Sequence, residues 1–339
     1  MKNIVVIQTS FLGDCILSLP FLSTLLSQEP KAQIHILTTG AGLAVFKMFK
    51  EKNNLDNVLI HHFDKKKNHR NFFQMKRWTT KLKATYGSFN TVYCIQRSFR
   101  TGLLALLLGA QERIGFASGA SSFFYTHRVS REWTNSRLEI EKNRDLLRIK
   151  YKIKDWDLEL SPSLLIVQAS PKKSRIVASF SSPWGTKMWP EDKAIEFCQQ
   201  ACQKGFEVVL VGDQKAQQGI CRAIVSNCSS LLLKDLSGKT SIPQLTEVIS
   251  QASVVLSGDS AAIHIASDAN VPVIALFGPT TPAFGFAPWR KGSKVLQVEG
   301  LKCRPCHIHG PKICPLKHHN CMNNISVDSV LREVESYVN

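Results

Sequence analysis

Three segments of this chain set small, polar or chargeable side chains directly after a β-branched run, where an α/β protein usually does its chemistry. The first is Gly13-Asp14, downstream of Ile4-Val5-Val6-Ile7. A carboxylate there, beside a flexible glycine, can take a proton from a substrate hydroxyl as general base. An acidic residue at that place also suits a helix N-terminus. The second is Phe180-Ser181-Ser182-Pro183-Trp184-Gly185-Thr186-Lys187. The Ser181 and Ser182 hydroxyls, a glycine and Lys187 ahead of a helix suit phosphate capture by backbone N–H groups and an ammonium. The spacing is not that of a Walker A loop, and a plain connecting loop reads equally well. The third is Ser257-Gly258-Asp259-Ser260-Ala261-Ala262-Ile263-His264. Its small residues let a helix N-terminus approach a phosphate closely. Asp259 and Ser260 can cap that helix or hold a ligand hydroxyl. His264, one turn in, suits a core position as well as a ligand contact.

Further segments offer narrower chemistry. Arg97 and Arg100, at i and i+3 after Thr91-Val92-Tyr93-Cys94-Ile95, can clamp a phosphate or stand as surface charges. Asp235-Leu236-Ser237-Gly238-Lys239-Thr240 precedes a helix and can line a base pocket or simply cap that helix. Phe277-Gly278-Pro279-Thr280-Thr281-Pro282 closes a strand with two prolines. Gly40-Ala41-Gly42 is half of a dinucleotide fingerprint and lacks its third glycine, which speaks against a nicotinamide-linked oxidoreductase. Asp155-Trp156-Asp157 has the paired-aspartate pattern of metal-holding sugar transferases, but sits in an expected linker. Cys303, Cys306, Cys314 and Cys321 are spaced C-x2-C-x7-C-x6-C. Four thiolates so close can form a structural zinc site, or an iron–sulfur site, or remain free thiols packing a loop.

The elements that position these residues alternate strand and helix. Strands are expected at Lys2–Ile7, Gln33–Leu37, Asn57–Ile60 and Thr91–Ile95, with helices over Ile16–Leu26, 42–50, 71–86 and Thr101–Leu108. The pattern restarts after residue 160, with strands at Arg175–Phe180, Glu207–Gly212, Ser253–Ser257 and Val271–Phe277. Helices are expected at Asp192–Lys204, Ser260–Asp268 and Val327–Val338. This predicts an α/β chain of two Rossmann-like domains, 1–160 and 161–339, facing across a cleft. A length of 339 residues suits two such domains.

Composition narrows the partners. With 44% apolar and 20% charged residues the chain is neither disordered nor fibrous. Phe11–Leu26 is broken by Asp14 and Pro20 and lacks a basic lead-in, so neither a membrane span nor a signal peptide is expected, and a cytoplasmic location follows. The net charge is +17; residues 1–160 hold 25 Lys and Arg against 13 Asp and Glu. Such a surface calls for an anionic partner. No nucleic-acid motif or aromatic-interleaved basic strip is present, which leaves a nucleic-acid-binding protein as the weaker alternative. The run Lys65-Lys66-Lys67 is expected to be a solvated loop.

Together the motifs resemble glycosyltransferase family nine, the bacterial heptosyltransferases of lipopolysaccharide core synthesis. The resemblance runs through Gly13-Asp14 to Leu19-Pro20, Leu108-Gly109-Ala110 to Arg113-Ile114-Gly115-Phe116, Lys187-Met188-Trp189-Pro190, Asp235 to Thr240, and Asp259-Ser260 to His264 with Val271-Pro272 to Thr280. The chain departs from that family in carrying Ala261 where glycine is usual, which narrows the approach of a phosphate. Cys321-Met322 is similar to the end of the heptosyltransferase II branch. The resemblance implies a GT-B fold and an inverting transfer that needs no cofactor for catalysis. It implies Asp14 as base and an acceptor on the first domain, where Gly13, Arg97 and Arg100 are the candidate contacts. It implies Lys187, Asp259 and Ser260 at the donor, with Ser181, Ser182, Leu236, Gly238, Thr240, Ala261 and the motif histidine His264 as further donor-side candidates. The implied partners are ADP-heptose, or another sugar nucleotide, and a phosphorylated lipopolysaccharide core acceptor at the cytoplasmic face of the inner membrane.

Overall fold

The computed structural model describes residues 1–67, 69–132, 137–154 and 172–338. The chain divides into two compact units, Met1–Trp133 with Glu139–Trp156, and Thr134–Leu138 with Asp157–Asn339. The expected linker and its Asp155-Trp156-Asp157 triplet fall almost wholly outside the described residues.

The first unit is built on β1 (Asn3–Gln8), β2 (Gln33–Thr38), β3 (Val58–His62), β4 (Thr91–Cys94), β5 (Glu112–Phe116) and β6 (His127–Val129). All pair in parallel, in the order β3-β2-β1-β4-β5-β6. The second is built on β7 (Arg175–Ser179), β8 (Glu207–Leu210), β9 (Leu233–Asp235), β10 (Val254–Gly258), β11 (Val273–Phe277) and β12 (Lys294–Gln297). These too are parallel, in the order β12-β11-β10-β7-β8-β9. Every residue of β1, β7 and β11 is buried, as helices on both faces of a parallel sheet require.

Both orders are doubly wound. Each reverses direction between two strands, β1 and β4 in one unit and β7 and β10 in the other. At that reversal the following loops diverge and leave a crevice at the carboxyl ends of the strands. Asp14 and Arg97 follow β1 and β4; Lys187 and Asp259 follow β7 and β10.

The helix expected over Ile16–Leu26 is instead two, Leu12–Leu17 and Leu19–Gln28. Pro20 has no N–H to continue the ladder, so it opens a new helix, and the Ser18 hydroxyl donates to the Cys15 carbonyl (2.7 Å) at the break. The break leaves Gly13-Asp14 inside a short first helix.

The first unit holds a histidine pair, His35 buried and His61 half-buried. His35 Nδ1 and His61 Nε2 lie 3.0 Å apart, with the rings stacked and the Tyr86 ring edge-on to both. Burial pushes both imidazoles down to about 4. The unfolded chain takes up these protons below the ordinary value near 6.5, whereas the folded chain resists them until about 4. Stability is therefore complete above about 6.5 and drains away as pH falls toward 4. Thermal unfolding measured across that window should show a falling midpoint, with a smaller fall in His35→Phe. An equal fall in that variant would remove the pair as its cause.

Candidate active site

In the first unit, Asp14 is the third residue of the helix Leu12–Leu17 and is half-buried. Its Oδ2 accepts from the Phe11 N–H at 3.2 Å, which ties the carboxylate to the start of the helix. The capping chemistry foreseen for this residue is thus present from inside the helix, and the group still stands at the carboxyl edge of the sheet. Gln8 Nε2 donates to the Asp14 carbonyl (3.2 Å), and the Thr9 hydroxyl donates to Gln96 Oε1, which joins the ends of β1 and β4.

Basic groups gather along the same edge. Burial, and then the neighbouring Arg131, pull the Arg97 guanidinium down to about 10, against the opposing fields of Glu139 and Asp14. Arg131 pairs with Glu139 at 2.5 Å, both side chains buried, and its guanidinium lies 4.8 Å from the centre of the Phe116 ring. Arg100 sits in the first turn of the helix Phe99–Leu108, which the Ser98 hydroxyl caps. The basic run is not uniformly solvated as expected. Lys66 and Lys67 are exposed, but Lys65 folds inward and donates to the Thr9 carbonyl at 2.6 Å. Nothing in the local sequence distinguishes Lys65 from its neighbours.

In the second unit the donor candidates lie along one sheet edge, after β7, β9 and β10. Lys187 Nζ donates to Asp259 Oδ2 at 2.6 Å, and both side chains are about nine-tenths buried. The Thr280 hydroxyl donates to the same oxygen at 2.9 Å. Thr280 is a member of this cluster that its sequence context had marked only as part of a loop. Ser260 caps the helix Ala261–Asp268, accepting from the Ala262 N–H, and its hydroxyl lies 2.9 Å from that of Ser257. Ala261, one residue further on, is half-buried at the helix start. Ser182 accepts from the Trp184 N–H (3.1 Å), and Ser181 lies against Gly212 after β8. The loop carrying Leu236, Gly238 and Thr240 is docked to that same turn, because the Gly238 N–H donates to the Gly212 carbonyl at 2.8 Å. Gly238 has φ +67, and a side chain there would strike Gln217, so glycine is required.

His264 is buried and stacked on Trp289, with centroids 6.0 Å apart. Burial pushes it down to about 4, so it is neutral at pH 7 although Asp259 favours its charge. Its ring packs there, while its buried Nδ1 has no hydrogen-bond partner among the described residues.

The cysteine-bearing segment has a definite place. Its Arg304 donates to the carbonyls of Gly278, Phe277 (3.0 Å), Thr280 (2.9 Å) and Val298 (2.6 Å), and to Gln297 Oε1 (3.0 Å). Cys306 N–H donates to the Pro279 carbonyl, and His319 Nε2 to the Thr186 carbonyl (2.8 Å). Gly310 passes so close to Lys187, Thr186 and Pro279 that a Cβ would meet all three within 3.3 Å. The segment therefore clasps two of the three loops that hold the Lys187–Asp259–Thr280 cluster, those of Lys187 and Thr280.

Its thiols differ from one another. Burial pushes Cys321 up to about 11. Burial also weighs against a Cys314 thiolate, but the backbone N–H groups of His319, Leu316, His318 and Lys317 outweigh it and hold that thiol below its ordinary value. Among the described residues no three His, Cys, Asp or Glu side chains are gathered to hold a metal ion. The four thiols nevertheless lie near one another, since the fields of Cys306, Cys314 and Cys303 act on Cys321. The contacts just named hold the segment in place.

A model of glycosyltransferase family 9 (heptosyltransferase) matches residues 77–314. The chain belongs to this family. Among relatives of this family 9 transferase, the lipooligosaccharide heptosyltransferase 2 of Campylobacter jejuni subsp. jejuni serotype O:2 is 24% identical over 333 residues, 96% of this chain and 95% of that one. The lipopolysaccharide heptosyltransferase 3 of Escherichia coli strain K12 is 26% identical over 302 residues, 82% of each chain. Among solved structures, a family 9 glycosyl transferase of Veillonella parvula DSM 2008 superposes with a TM-score of 0.79 at 19% identity, over 99% of this chain and 97% of that one. The E. coli ADP-heptose lps heptosyltransferase II gives 0.75 at 19% identity, over 100% and 98%. The α/β, GT-B class expected from the motifs is the class of these structures. As a family 9 member the protein is a glycosyltransferase, which displaces both the non-enzymatic nucleotide- or nucleic-acid-binding reading and the nicotinamide-linked one.

Proposed function

We propose that this enzyme transfers a heptose from ADP-heptose to a phosphorylated lipopolysaccharide inner-core acceptor, with inversion and with no metal required for catalysis. The observation that carries the reading is the Lys187–Asp259–Thr280 cluster beside the Ser260-capped helix. It joins a fixed ammonium to a helix N-terminus at the reversal point of the sheet, an arrangement suited to a diphosphate. Both bonds to Asp259 fall on Oδ2, which leaves Oδ1 for a sugar hydroxyl. The names of the relatives supply the sugar and the acceptor class.

In this mechanism Asp14 accepts the proton of the acceptor hydroxyl as its oxygen attacks the anomeric carbon from the face opposite the nucleotide. The bond from the anomeric carbon to the diphosphate breaks, and the charge that develops there is met by Lys187 and the backbone N–H groups around Ser182 and Ser260. The Asp235–Thr240 loop, two strands along the edge, is the candidate base-binding wall. The excess of cations in the first unit suits a phosphorylated acceptor, with Arg97 and Arg100 as its contacts. Such an acceptor places the enzyme peripherally at the cytoplasmic face of the inner membrane. Among the described residues no helix is long and apolar enough to cross a membrane.

The test is a transfer assay with one acceptor and a panel of ADP-heptose, UDP-sugars and GDP-sugars. Turnover should be confined to ADP-heptose, with an α-linked or β-linked product opposite in configuration to the donor. Efficient turnover of a UDP- or GDP-sugar, or retention of configuration, would overturn the corresponding part of the reading.

A further inference from the structure

Five large aromatic side chains are exposed among the described residues, and all are phenylalanines of the first unit: Phe11, Phe72, Phe73, Phe99 and Phe123. They follow β1, β3, β4 and β5. Because this sheet is parallel, segments leaving those strands emerge at one edge, the edge that carries Asp14. Phe73 is 78% exposed and Phe123 83%; a lone exposed ring is ordinary, and what sets these apart is that all five leave one sheet edge.

Charge accompanies these rings. Contrary to the expectation that no basic strip is interleaved with aromatics, the chain from Lys65 to Gln111 has ten Lys and Arg, no Asp or Glu, and Phe72, Phe73 and Phe99 among them. Lys66, Lys67, Arg70, Lys76 and Arg77 are exposed around the Phe72-Phe73 pair, whose rings pack edge to face at 5.7 Å between centroids. The rings stand singly or in pairs on separate loops and do not line one groove. That distribution suits a broad, deformable surface that accepts several shallow insertions. Apolar rings flanked by Lys and Arg are the composition by which proteins seat at the interface of an anionic bilayer.

We infer that this carboxyl edge of the first sheet is a membrane-docking surface, with phenylalanines entering the interfacial layer of an anionic bilayer and the basic run meeting its headgroups. The inference rests on the proposed lipid-linked acceptor for its purpose. Docking by the edge that carries Asp14 would present that carboxylate to sugars projecting from the bilayer, so that the acceptor need not leave it.

The experiment is co-sedimentation of the full chain with phosphatidylcholine vesicles made with and without phosphatidylglycerol. Binding is expected only with the anionic lipid and should fall with salt. The pair Phe72→Ser/Phe73→Ser and the pair Lys66→Glu/Lys67→Glu should each lower the partition coefficient about tenfold. Both should leave transfer to a water-soluble, deacylated acceptor unchanged while slowing transfer to the same acceptor in vesicles. Equal binding to both vesicle types, or undiminished binding by both variants, would overturn the inference. So would a dimer in light scattering that disappears in the phenylalanine variant, since the edge would then belong to a second copy. Absence of transfer by the parent chain to the soluble acceptor would instead count against the proposed reaction and leave the vesicle result standing.

Discussion

Replacing Asp14 by asparagine is expected to lower kcat by about 10²–10⁴-fold, the usual share of a general base, with little change in KM for either substrate. The substitution is close to isosteric. An asparagine Oδ1 can still accept from the Phe11 N–H, so the helix start that the aspartate now ties should persist. What is lost is the ability to hold a proton taken from the acceptor hydroxyl. Steady-state kinetics with the donor and acceptor of the proposed reaction would measure it, with thermal unfolding alongside to show that the fold is intact. Turnover close to that of the parent enzyme would show that Asp14 has only the helix-start role and that the base lies elsewhere.

The second large effect is expected at Lys187. Lys187→Ala removes the cation that faces the developing diphosphate charge, and loss of one preorganised group of this kind costs about 10²–10³-fold in kcat. Donor affinity should fall as well, because the ground-state diphosphate is already charged. The same change strips Asp259 of its ion-pair partner and leaves it, among the described residues, the Thr280 hydroxyl, so some loss of stability is also expected. Lys187→Arg separates the two effects. It keeps a cation against Asp259 but moves its charge, so the melting point should recover further than turnover. If Lys187→Ala keeps both donor affinity and kcat, the lysine only closes a salt bridge and the charge is met elsewhere.

The strands that could be read from the sequence were those with a continuous apolar run. Val5-Val6-Ile7, Val208-Val209-Leu210 and Val254-Val255-Leu256 are apolar on both faces because helices cover both sides of their sheets. The edge strands β6, β9 and β12 are three or four residues of mixed polarity, and their pairing is decided by neighbours rather than by their own side chains. The short helix Glu139–Asp145 is polar except at Ile140 and was equally hidden, although it supplies the buried partner of Arg131. At the site, Lys187, Asp259 and Ser260 stood out because their types and positions after strands are rare together. Thr280 did not, since a threonine between prolines reads as a turn, and only the tertiary approach to Asp259 gives it a chemical task. The cysteines drew attention to themselves by spacing, while the residue between them that makes the contacts, Arg304, drew none.

That arginine carries a consequence for how this enzyme can be recombined. It braces the Phe277–Thr280 loop through three carbonyls and ties it to Gln297 and Val298 at the end of β12. A chimera joined between residues 281 and 303 would inherit the loop from one parent and its brace from the other. Donor preference and the distal tail should therefore travel together when family members are shuffled, as one heritable module.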